Sequence, residues 1–255
     1  MRFDVITIFP ELFAPFMQTG INRRAFEAQP DGSKLVDVRF TNPRDHADGN
    51  YRRTDDRPFG GGPGMVMMAE PLARCIESIR AERAENVKPE NNKPADNKPA
   101  NNKPAGALCP VVLFSPIGNT IDHAQVQQWS DSQGAILICG RYEGLDQRFI
   151  DQFVTHQISL GDFVLSGGEI AALALLDAVA RLQPGVLGDA DSHAQDSFNP
   201  AVGGLLDCGH YTRPEVWRGH SVPPVLLSGN HAHIERWRTE QRYALTQKLR
   251  PDLIG

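Results

Sequence analysis

The sequence has few cysteines and no long hydrophobic run. Its four cysteines stand apart and form no CxxC pair: Cys75, Cys109, Cys139 and Cys208. This spacing argues against a zinc site or a disulfide framework and favours reduced thiols. The longest apolar run, Ile170–Leu182, contains Asp177 and is too short to cross a bilayer. The amino-terminal "MRFDVITIFPELF" is typical of a strand and a turn, not of a signal peptide, so we expect a soluble, cytoplasmic protein.

The chain also lacks the positive charge of a typical nucleic-acid-binding protein. Its formal net charge is −5 at pH 7, whereas such proteins usually carry a basic surface. The distribution weakens this argument, because residues 209–250 hold seven Lys and Arg against three Glu, with four histidines besides. A second group of arginines, between Arg23 and Arg57, is nearly balanced by acidic residues and is equally typical of a solvated surface.

Hydrophobic periodicity predicts strands that alternate with helices. A length of 255 residues with 40 % hydrophobic content suffices for one large domain or two modest ones. The strand candidates, rich in Val, Ile, Leu or Phe, are Phe3–Phe9, Leu35–Phe40, Val111–Ser115, Ala135–Cys139 and His156–Leu160. Helical spacing marks Pro71–Arg83, Asp122–Trp129 and Leu145–Phe153. This alternation predicts an α/β fold with a parallel sheet and helices on both sides.

Three segments depart from this alternation. The helical run Ile170–Leu182 is apolar nearly all round, so we expect it to be buried on every side, in the core or against another subunit. The pentapeptide repeat of Asn91–Ala105 lacks aromatic and branched aliphatic residues, and residues 88–105 are interpreted as a tolerated surface insertion. The chain is polar and glycine-rich between Gly185 and Gly204. We place an interdomain linker there, at residues 188–198, between a first domain at 1–187 and a small helical, basic domain at 199–255.

Three glycine-containing loops follow successive strand candidates: "FSPIG" (Phe114–Gly118), "CGRYEG" (Cys139–Gly144) and "LGDFVLSGGE" (Leu160–Glu169). Ligands of open α/β sheets bind beyond the carboxyl ends of the strands. Because glycine has no Cβ, the backbone of these loops can approach a ligand closely. None of them has GxGxxG spacing or the lysine of a phosphate-binding loop. Each loop alone is typical of a plain turn, but together they favour a flat, neutral, non-phosphorylated nucleoside.

Two further segments carry candidate chemistry. "YRRTDDRPFGGGPGMVMM" (Tyr51–Met68) combines arginines, Asp55 and Asp56 with a run of glycines. Its carboxylates could accept from the N1–H and amino edge of guanine while its arginines contact phosphates, but an ion-paired surface loop fits equally well. In "QDSFNP", Asp196 is by itself typical of a helix cap or a solvated loop acid. The residues alone leave these alternatives open.

Taken in order, the motifs resemble those of one family. The segments "DDRPFGGGPGM", "FSPIG", "CGRYEG", "LGDFVLSGGE", "DSF", "GLLDCGHYTRPEVW" and "VPPVLLSGNHAHIERWR" are similar to those of bacterial tRNA (guanine-N1)-methyltransferases, which modify guanosine 37 next to the anticodon. The resemblance runs from Met1 to about Pro251. It implies the SPOUT superfamily: an α/β parallel sheet with a carboxyl-terminal deep trefoil knot, a small helical tRNA-binding domain and an obligate homodimer. The implied methyl donor is S-adenosylmethionine, and the implied partner is tRNA.

The resemblance also implies roles for single residues. The implied cofactor pocket comprises Ser115, Pro116, Gly140, Tyr142, Glu143, Leu160, Gly161, Asp162, Phe163, Val164, Leu165, Gly167 and Gly168. Asp196 matches the family's general base, which reaches the pocket of the other subunit, and Arg181 matches the arginine that stabilises charge on O6. The implied tRNA contacts are Arg24, Arg52, Asp55 and Gly64. No metal ligands are implied, although a divalent ion near Glu143 is left open.

Two alternatives remain at this point. Another SPOUT enzyme, such as a ribose 2′-O-methyltransferase, would share the knot but lack the guanine-reading segment and Asp196. A non-catalytic RNA-binding protein would keep the basic carboxyl-terminal part without needing the nucleoside loops. The chain departs from the family at Tyr51, where histidine is common, and at Gly255, because many relatives continue into further helix. Within the pocket, we expect Gly161→Val to abolish cofactor binding by a steric block.

Overall fold

The computed structural model describes residues 1–85, 109–188 and 193–254. The predicted insertion at 88–105 and part of the predicted linker lie outside these ranges. The chain divides into two compact units, Met1–Val186 and Leu187–Gly255. Within the described ranges, no helix combines the length and apolar character needed to cross a membrane.

Strands and helices alternate along the first unit. Its strands are β1 Arg2–Ile6, β2 Asp37–Thr41, β3 Asp55–Asp56, β4 Val66–Met67, β5 Val111–Thr120, β6 Ile136–Ile138 and β7 His156–Ser159. Its helices are α1 Ala14–Gln18, α2 Arg23–Phe26, α3 Ala69–Glu85, α4 His123–Ser130, α5 Gln147–Phe153 and α6 Glu169–Arg181. Aspartates cap two of them: Asp122 accepts from Gln125 N–H at 2.8 Å, and Asp146 from Arg148 N–H at 2.9 Å.

The core of the first unit is a five-stranded parallel sheet with the strand order β2-β1-β6-β5-β7. Side chains alternate between the two faces of the sheet. Ile136 and Ile138 pack in one hydrophobic cluster with Leu72 of α3. Leu137, between them, packs in a second cluster with Leu175 of α6. Helices therefore cover both faces, and the predicted α/β fold with a parallel sheet is confirmed.

Strand β5 contains a wide bulge at the position of "FSPIG". Phe114 and Asn119 both pair with Ile158 of β7, so the four residues between them leave the ladder. Gly118 permits this path, because a Cβ there would lie 2.5 Å from backbone atoms of Gln157 and Ile158. The sequence predicted that the strand ends where the bulge begins. The observed strand continues to Thr120 because its second half pairs with β7 again.

Two elements differ from their predicted form. Strand β1 ends at Ile6 rather than Phe9, because the Thr7 hydroxyl accepts from the Phe9 N–H at 3.0 Å and turns the chain. Helix α6 is not buried on every side within this chain, since Ile170 is 55 % exposed and Ala174 is exposed. The core of the first unit therefore does not bury this helix on every side, and burial against another subunit stays a prediction.

The second unit has two short strands and two α-helices among its described residues. They are β8 Val216–Trp217, β9 His220–Ser221, α7 Pro224–Leu227 and α8 His231–Leu249. Helix α8 lies in the part of the chain that was predicted to form a small helical domain, and the Asn230 side chain caps it by accepting from His233 N–H at 3.2 Å. Arg242 of α8 is buried and donates to Asp207 at 3.3 Å and to Glu235 at 3.1 Å. The pair with Asp207 fastens α8 to the segment that precedes β8, whereas Glu235 lies on α8 itself.

Candidate functional site

A cavity of about 440 Å³ opens at the carboxyl ends of β5, β6 and β7. Its walls come from the β5 bulge, the loop after β6 and the loop after β7, which are the three glycine loops of the sequence. The order β6-β5-β7 places the ends of these strands side by side. The volume falls within the roughly 300–1,000 Å³ that is typical of small-molecule sites.

The structure brings most of the predicted cofactor residues together around this cavity. Eleven of them line it: Ser115, Pro116, Gly140, Tyr142, Glu143, Leu160, Phe163, Val164, Leu165, Gly167 and Gly168. Gly161 and Asp162 do not. Gly161 shapes the loop instead, because its φ is +155° and its N–H donates to the Ser159 hydroxyl at 3.1 Å. The expected steric block by Gly161→Val therefore needs correction: a Cβ there would meet the Phe163 ring at 3.0 Å, and the valine would strain the loop.

Glycines let the loop after β7 pack directly on the loop after β6. The Gly168 N–H donates to Gly140 O at 2.9 Å, and a Cβ on Gly168 would lie 2.8 Å from Cys139 Cα. A Cβ on Gly167 would lie 2.2 Å from Arg141 Nε. These two glycines let one segment of the chain pack against another, and both also line the cavity, so their predicted contact with a ligand stays a prediction.

The cavity carries little charge. Of the described residues that line it, only Arg141 and Glu143 are charged. The Arg141 Nε lies 2.9 Å from a carboxylate oxygen of Glu169, which neutralises it. Glu143 forms no ion pair with any described residue, while Val164 and Leu165 add apolar walls. This lining suits a neutral or cationic ligand better than a phosphate.

The hairpin of β3 and β4, residues 55–67, lies beside the cavity. Asp55 of β3 pairs with Met67 of β4. The Met67 N–H donates to Gly144 O in the loop after β6 at 2.8 Å, and the Glu143 N–H of the same loop donates to Met65 O at 2.9 Å. Gly64 has a φ of +78°, and a Cβ there would meet the Glu143 side chain at 2.5 Å. Asp55 and Gly64, both predicted to contact tRNA, are therefore joined to a loop that lines the cavity.

Three other predicted site residues of the first unit lie outside the cavity lining. Arg24 of α2 donates to Val186 O at 3.3 Å. Arg52 forms an ion pair with Asp45 at 3.0 Å. Arg181 is the last residue of α6 and is half-buried.

Asp196 belongs to the second unit and lies in a hydrogen-bonded turn. Its N–H donates to His193 O at 3.2 Å, and its carbonyl accepts from Asn199 N–H at 3.2 Å. The Asn199 amide closes the turn by donating to His193 O at 3.0 Å. The Ser197 hydroxyl then accepts from Asp207 N–H at 2.8 Å and ties the turn to the rest of the unit. The sequence placed Asp196 in an open linker, because the polar residues that form the turn are also typical of loops.

A second cleft, of about 550 Å³, lies within the second unit. Its lining includes Tyr211 and Trp237, whose ring centroids are 6.2 Å apart, together with Arg213 and Arg238. Arg213 is exposed and forms no ion pair with a described residue. Nucleic-acid bases can stack on aromatic rings, and neighbouring arginines can contact the phosphates. The sequence pointed to a basic segment here but not to its concave shape, because the cleft brings Tyr211 against a helix distant in the chain.

Sequence reasoning missed a buried polar group beneath the cavity. Glu169, the first residue of α6, is 1 % exposed, and one of its carboxylate oxygens accepts from the Thr7 hydroxyl at 2.8 Å. The other carboxylate oxygen forms an ion pair with Arg141. The available signals were an arginine inside "CGRYEG" and a glutamate at the start of an otherwise apolar helix. In the described parts of the chain, no group of three or more His, Cys, Asp or Glu is placed to hold a metal ion.

Comparison with known proteins adds the family. A family profile described as tRNA (Guanine-1)-methyltransferase TrmD matches residues 1–255. The chain belongs to this family. It is 68 % identical over 254 residues to the tRNA (guanine-N(1)-)-methyltransferase of Albidiferax ferrireducens, covering 100 % of this chain and 92 % of the relative. The proteins of the same name from Polaromonas sp. and Bordetella pertussis are 64 % and 51 % identical, with 100 % of this chain and 89 % and 90 % of the relatives covered.

Family membership confirms the resemblance drawn from the motifs. The roles of single residues, such as Asp196 and Arg181, stay predictions.

Proposed function

We propose that this chain transfers the methyl group of S-adenosylmethionine to N1 of guanosine 37 in tRNA. The observation that carries the proposal is the weakly charged cavity at the ends of β5, β6 and β7, in a chain that matches a tRNA guanine methyltransferase family over its whole length. The hairpin that carries Asp55 is hydrogen-bonded to the wall of that cavity. The proposed methyl donor and the proposed base-reading segment therefore adjoin within one unit.

The lining of the cavity fits S-adenosylmethionine. The adenosine part is neutral and flat, which suits backbone groups of glycine loops beside Val164 and Leu165. The sulfonium and the amino group are cationic, and the carboxylate of Glu143 is the one charge in the lining that is not neutralised by an ion pair within the described residues. When bound, the cofactor supplies an electrophilic methyl group. The chain itself has to orient the acceptor and remove its proton.

Guanine N1 carries a proton at neutral pH and becomes a good nucleophile when that proton leaves. We assign its removal to the carboxylate of Asp196, as the family resemblance implies. Negative charge then develops on O6, and Arg181 would stabilise it there. Asp55 would accept from the N1–H and amino edge of guanine before the proton is transferred, and Arg24, Arg52 and Gly64 would contact the tRNA.

The topology of the first unit supports the proposed trefoil knot. Strand β5 lies between β6 and β7 in the sheet. After β7 the chain returns to the end of β6, where Gly168 N–H donates to Gly140 O at 2.9 Å. It must therefore cross the end of β5, where the bulge leaves the ladder. A chain that crosses a protruding segment in this way is suited to thread a knot.

Two surfaces support the proposed partners. Ile170 and Ala174 make α6 apolar on its exposed side, and a second copy of the chain would cover it in the proposed homodimer. The cleft between Tyr211 and Trp237 supports tRNA binding by the domain at 199–255. The proposed methyltransferase domain is 1–187, and the linker is 188–198. A tRNA substrate would place the reaction in the cytoplasm.

Digestion of the product to nucleosides tests the proposed reaction. Unmodified tRNA transcripts containing guanosine 37 are incubated with the protein and S-adenosylmethionine, then digested and separated by mass spectrometry. The proposal predicts 1-methylguanosine, which disappears when position 37 is changed to adenosine. A 2′-O-methyl nucleoside would instead identify a ribose methyltransferase. Absence of any methylated nucleoside, with tRNA still bound, would indicate a non-catalytic RNA-binding protein.

A further inference from the structure

Five residues from four segments meet around Arg141, which lines the cavity. They are Thr7 and Phe9 after β1, Arg141 after β6, Ser166 after β7, and Glu169 at the start of α6, here called the Arg141 clamp. Thr7 donates to Glu169 at 2.8 Å, and Glu169 lies 2.9 Å from Arg141 Nε. Arg141 also donates from Nη1 to Ser166 O at 3.3 Å, and its guanidinium lies 4.5 Å from the centre of the Phe9 ring.

The charges of the clamp are held out of water. The side chain of Glu169 is 1 % exposed and that of Arg141 is 20 % exposed. Nε and the carboxylate are at ion-pair distance without the alignment of a hydrogen bond. A buried pair of this kind adds little net stability, because desolvation offsets the attraction. The ion pair is therefore better explained by its effect on the conformation of the surrounding loops.

The loop after β7 is the part of the cavity wall whose conformation the Arg141 clamp can fix. This loop supplies Leu160 and Phe163–Gly168 to the lining. Arg141 holds the far end of this loop by donating a hydrogen bond to Ser166 O. Residue 167 has to be glycine for Arg141 to lie here, because a Cβ at this position would be 2.2 Å from Arg141 Nε. The planar fork of an arginine can contact the carboxylate, the carbonyl and the ring at once, which a lysine cannot do.

We propose that Arg141 is a positioning residue for cofactor binding: with Glu169 it holds the loop after β7 in the conformation that receives S-adenosylmethionine. The proposal rests on the proposed function of the cavity. It concerns the affinity for the cofactor and not the methyl transfer itself. Loss of the guanidinium fork should therefore raise the Kd and the KM for S-adenosylmethionine while kcat at saturating cofactor is kept.

The chain offers a closely matched control. Arg83 is 20 % exposed and is paired with Asp4, which is 1 % exposed, the same values as in the clamp. This pair also lies in the first unit, but neither member lines the cavity. Arg141→Lys and Arg83→Lys thus make the same chemical change next to equally buried carboxylates, with the difference that Asp4 keeps a second ion pair, with Arg2 at 2.6 Å. We expect Arg141→Lys to raise the Kd for S-adenosylmethionine about tenfold and Arg83→Lys to leave it unchanged.

A double-mutant cycle tests the geometry of the contact. Gly167→Ala should raise the Kd, because its Cβ would displace Arg141. In an Arg141→Ala background the same change should have no further effect, since the colliding atom is gone. If the Arg141→Ala protein does not fold, the proposal is tested by comparing the Kd values of Arg141→Lys and Arg83→Lys alone.

The binding constants are measured by calorimetry with S-adenosylmethionine, and the unfolding temperature is measured without it. The proposal is supported if Arg141→Lys loses affinity while its unfolding temperature matches that of Arg83→Lys. It is overturned if both lysine variants bind like the wild type, if both lose affinity in step with stability, or if Arg141→Lys lowers kcat at an unchanged Kd. A wild-type protein that binds no S-adenosylmethionine would overturn the proposed function, and this proposal with it.

Discussion

At the scale of single residues, the glycines near the cavity fall into two groups. At Gly118, Gly167 and Gly168 the space for a Cβ is already filled by other parts of the chain. At Gly60 and Gly61 the space is open, and only the positive φ calls for glycine. The glycine loops that the sequence predicted to form a site do line one cavity, and its use as a binding site stays a prediction. The sequence could not assign each glycine to its group, because the occupying atoms come from distant segments.

Gly64 combines both features and allows a sharp test. Its φ of +78° is nearly that of Gly61, +79°, but a Cβ on Gly64 would meet the Glu143 side chain whereas one on Gly61 would meet nothing. Alanine at either position has the same backbone cost, on the order of 1 kcal/mol. Only Gly64→Ala should displace Glu143 from the cavity and raise the Kd for S-adenosylmethionine several-fold. The check is calorimetry on both variants, and equal affinities would show that the position of Glu143 does not matter.

At the scale of elements, local sequence patterns predicted most of the longer helices and strands. The bulge and the short hairpin depend on pairing with distant strands and loops. The spacing of Leu72, Ile76 and Ile79 predicted α3, and capping by Asp122 and Asp146 fixed the starts of α4 and α5. The β5 bulge was missed, because it depends on a register shift against β7. The β3–β4 hairpin was expected as a loop, since its strands have two residues each and are joined to the loop after β6 by non-local bonds.

Acid should loosen the attachment of α8 in the second unit. Burial raises the pKa of Asp207, but hydrogen bonds from Cys208 N–H, His210 and Arg242 outweigh it, so the pKa is lowered overall. A carboxyl group whose folded pKa lies below its unfolded value, about 3.9, stabilises the fold at higher pH and loses this contribution as pH falls through the folded value. Asp207→Asn should therefore destabilise the unit by about 1–3 kcal/mol at pH 7.

The same argument gives a pH profile that distinguishes charge from packing. Urea unfolding is followed by tryptophan fluorescence in a Trp129→Phe background, where Trp217 and Trp237 of the second unit are the remaining tryptophans, and it measures the difference in stability caused by Asp207→Asn. That difference should be constant above about pH 5 and shrink below pH 4. A difference that stays the same from pH 7 to pH 3 would mean that the carboxylate charge contributes nothing and that the variant acts through packing.

At the scale of the whole molecule, composition and family motifs carried the prediction further than periodicity. The break in composition after residue 184 marked a second unit, and the structure divides the chain after Val186. A knot cannot be read from hydrophobic spacing, because it depends on which segment crosses which. An intersubunit site is equally invisible to local pattern. Such a site stays a prediction for this chain, supported by the apolar exposed side of α6 and by the assignment of Asp196 to the second unit.

Mixed dimers test whether Asp196 serves the cavity of its partner. Asp196→Ala alone should bind S-adenosylmethionine normally and lose turnover by about 10²–10⁴-fold, the usual effect of a general base. Val164→Trp alone should lack cofactor binding, because Val164 lines the cavity yet is 82 % exposed, so a larger side chain can fill the cavity without disturbing the core. When the two chains are paired, the intact cavity of the Asp196→Ala chain meets the intact aspartate of the other. We expect about half of the wild-type activity per dimer, measured on isolated heterodimers carrying two different affinity tags.

The reciprocal pairing makes the test decisive, because it reverses the outcome with the same substitutions. A wild-type chain is combined with one that carries both Asp196→Ala and Val164→Trp. If the base acts across the interface, the only open cavity faces an alanine, and this dimer should be as inactive as the parents. If the base acts within its own chain, this dimer should keep half of the activity and the first pairing should have none. Because each arrangement contains one intact cavity and one intact aspartate, differences in stability or cofactor loading cannot produce the exchange of activity between them.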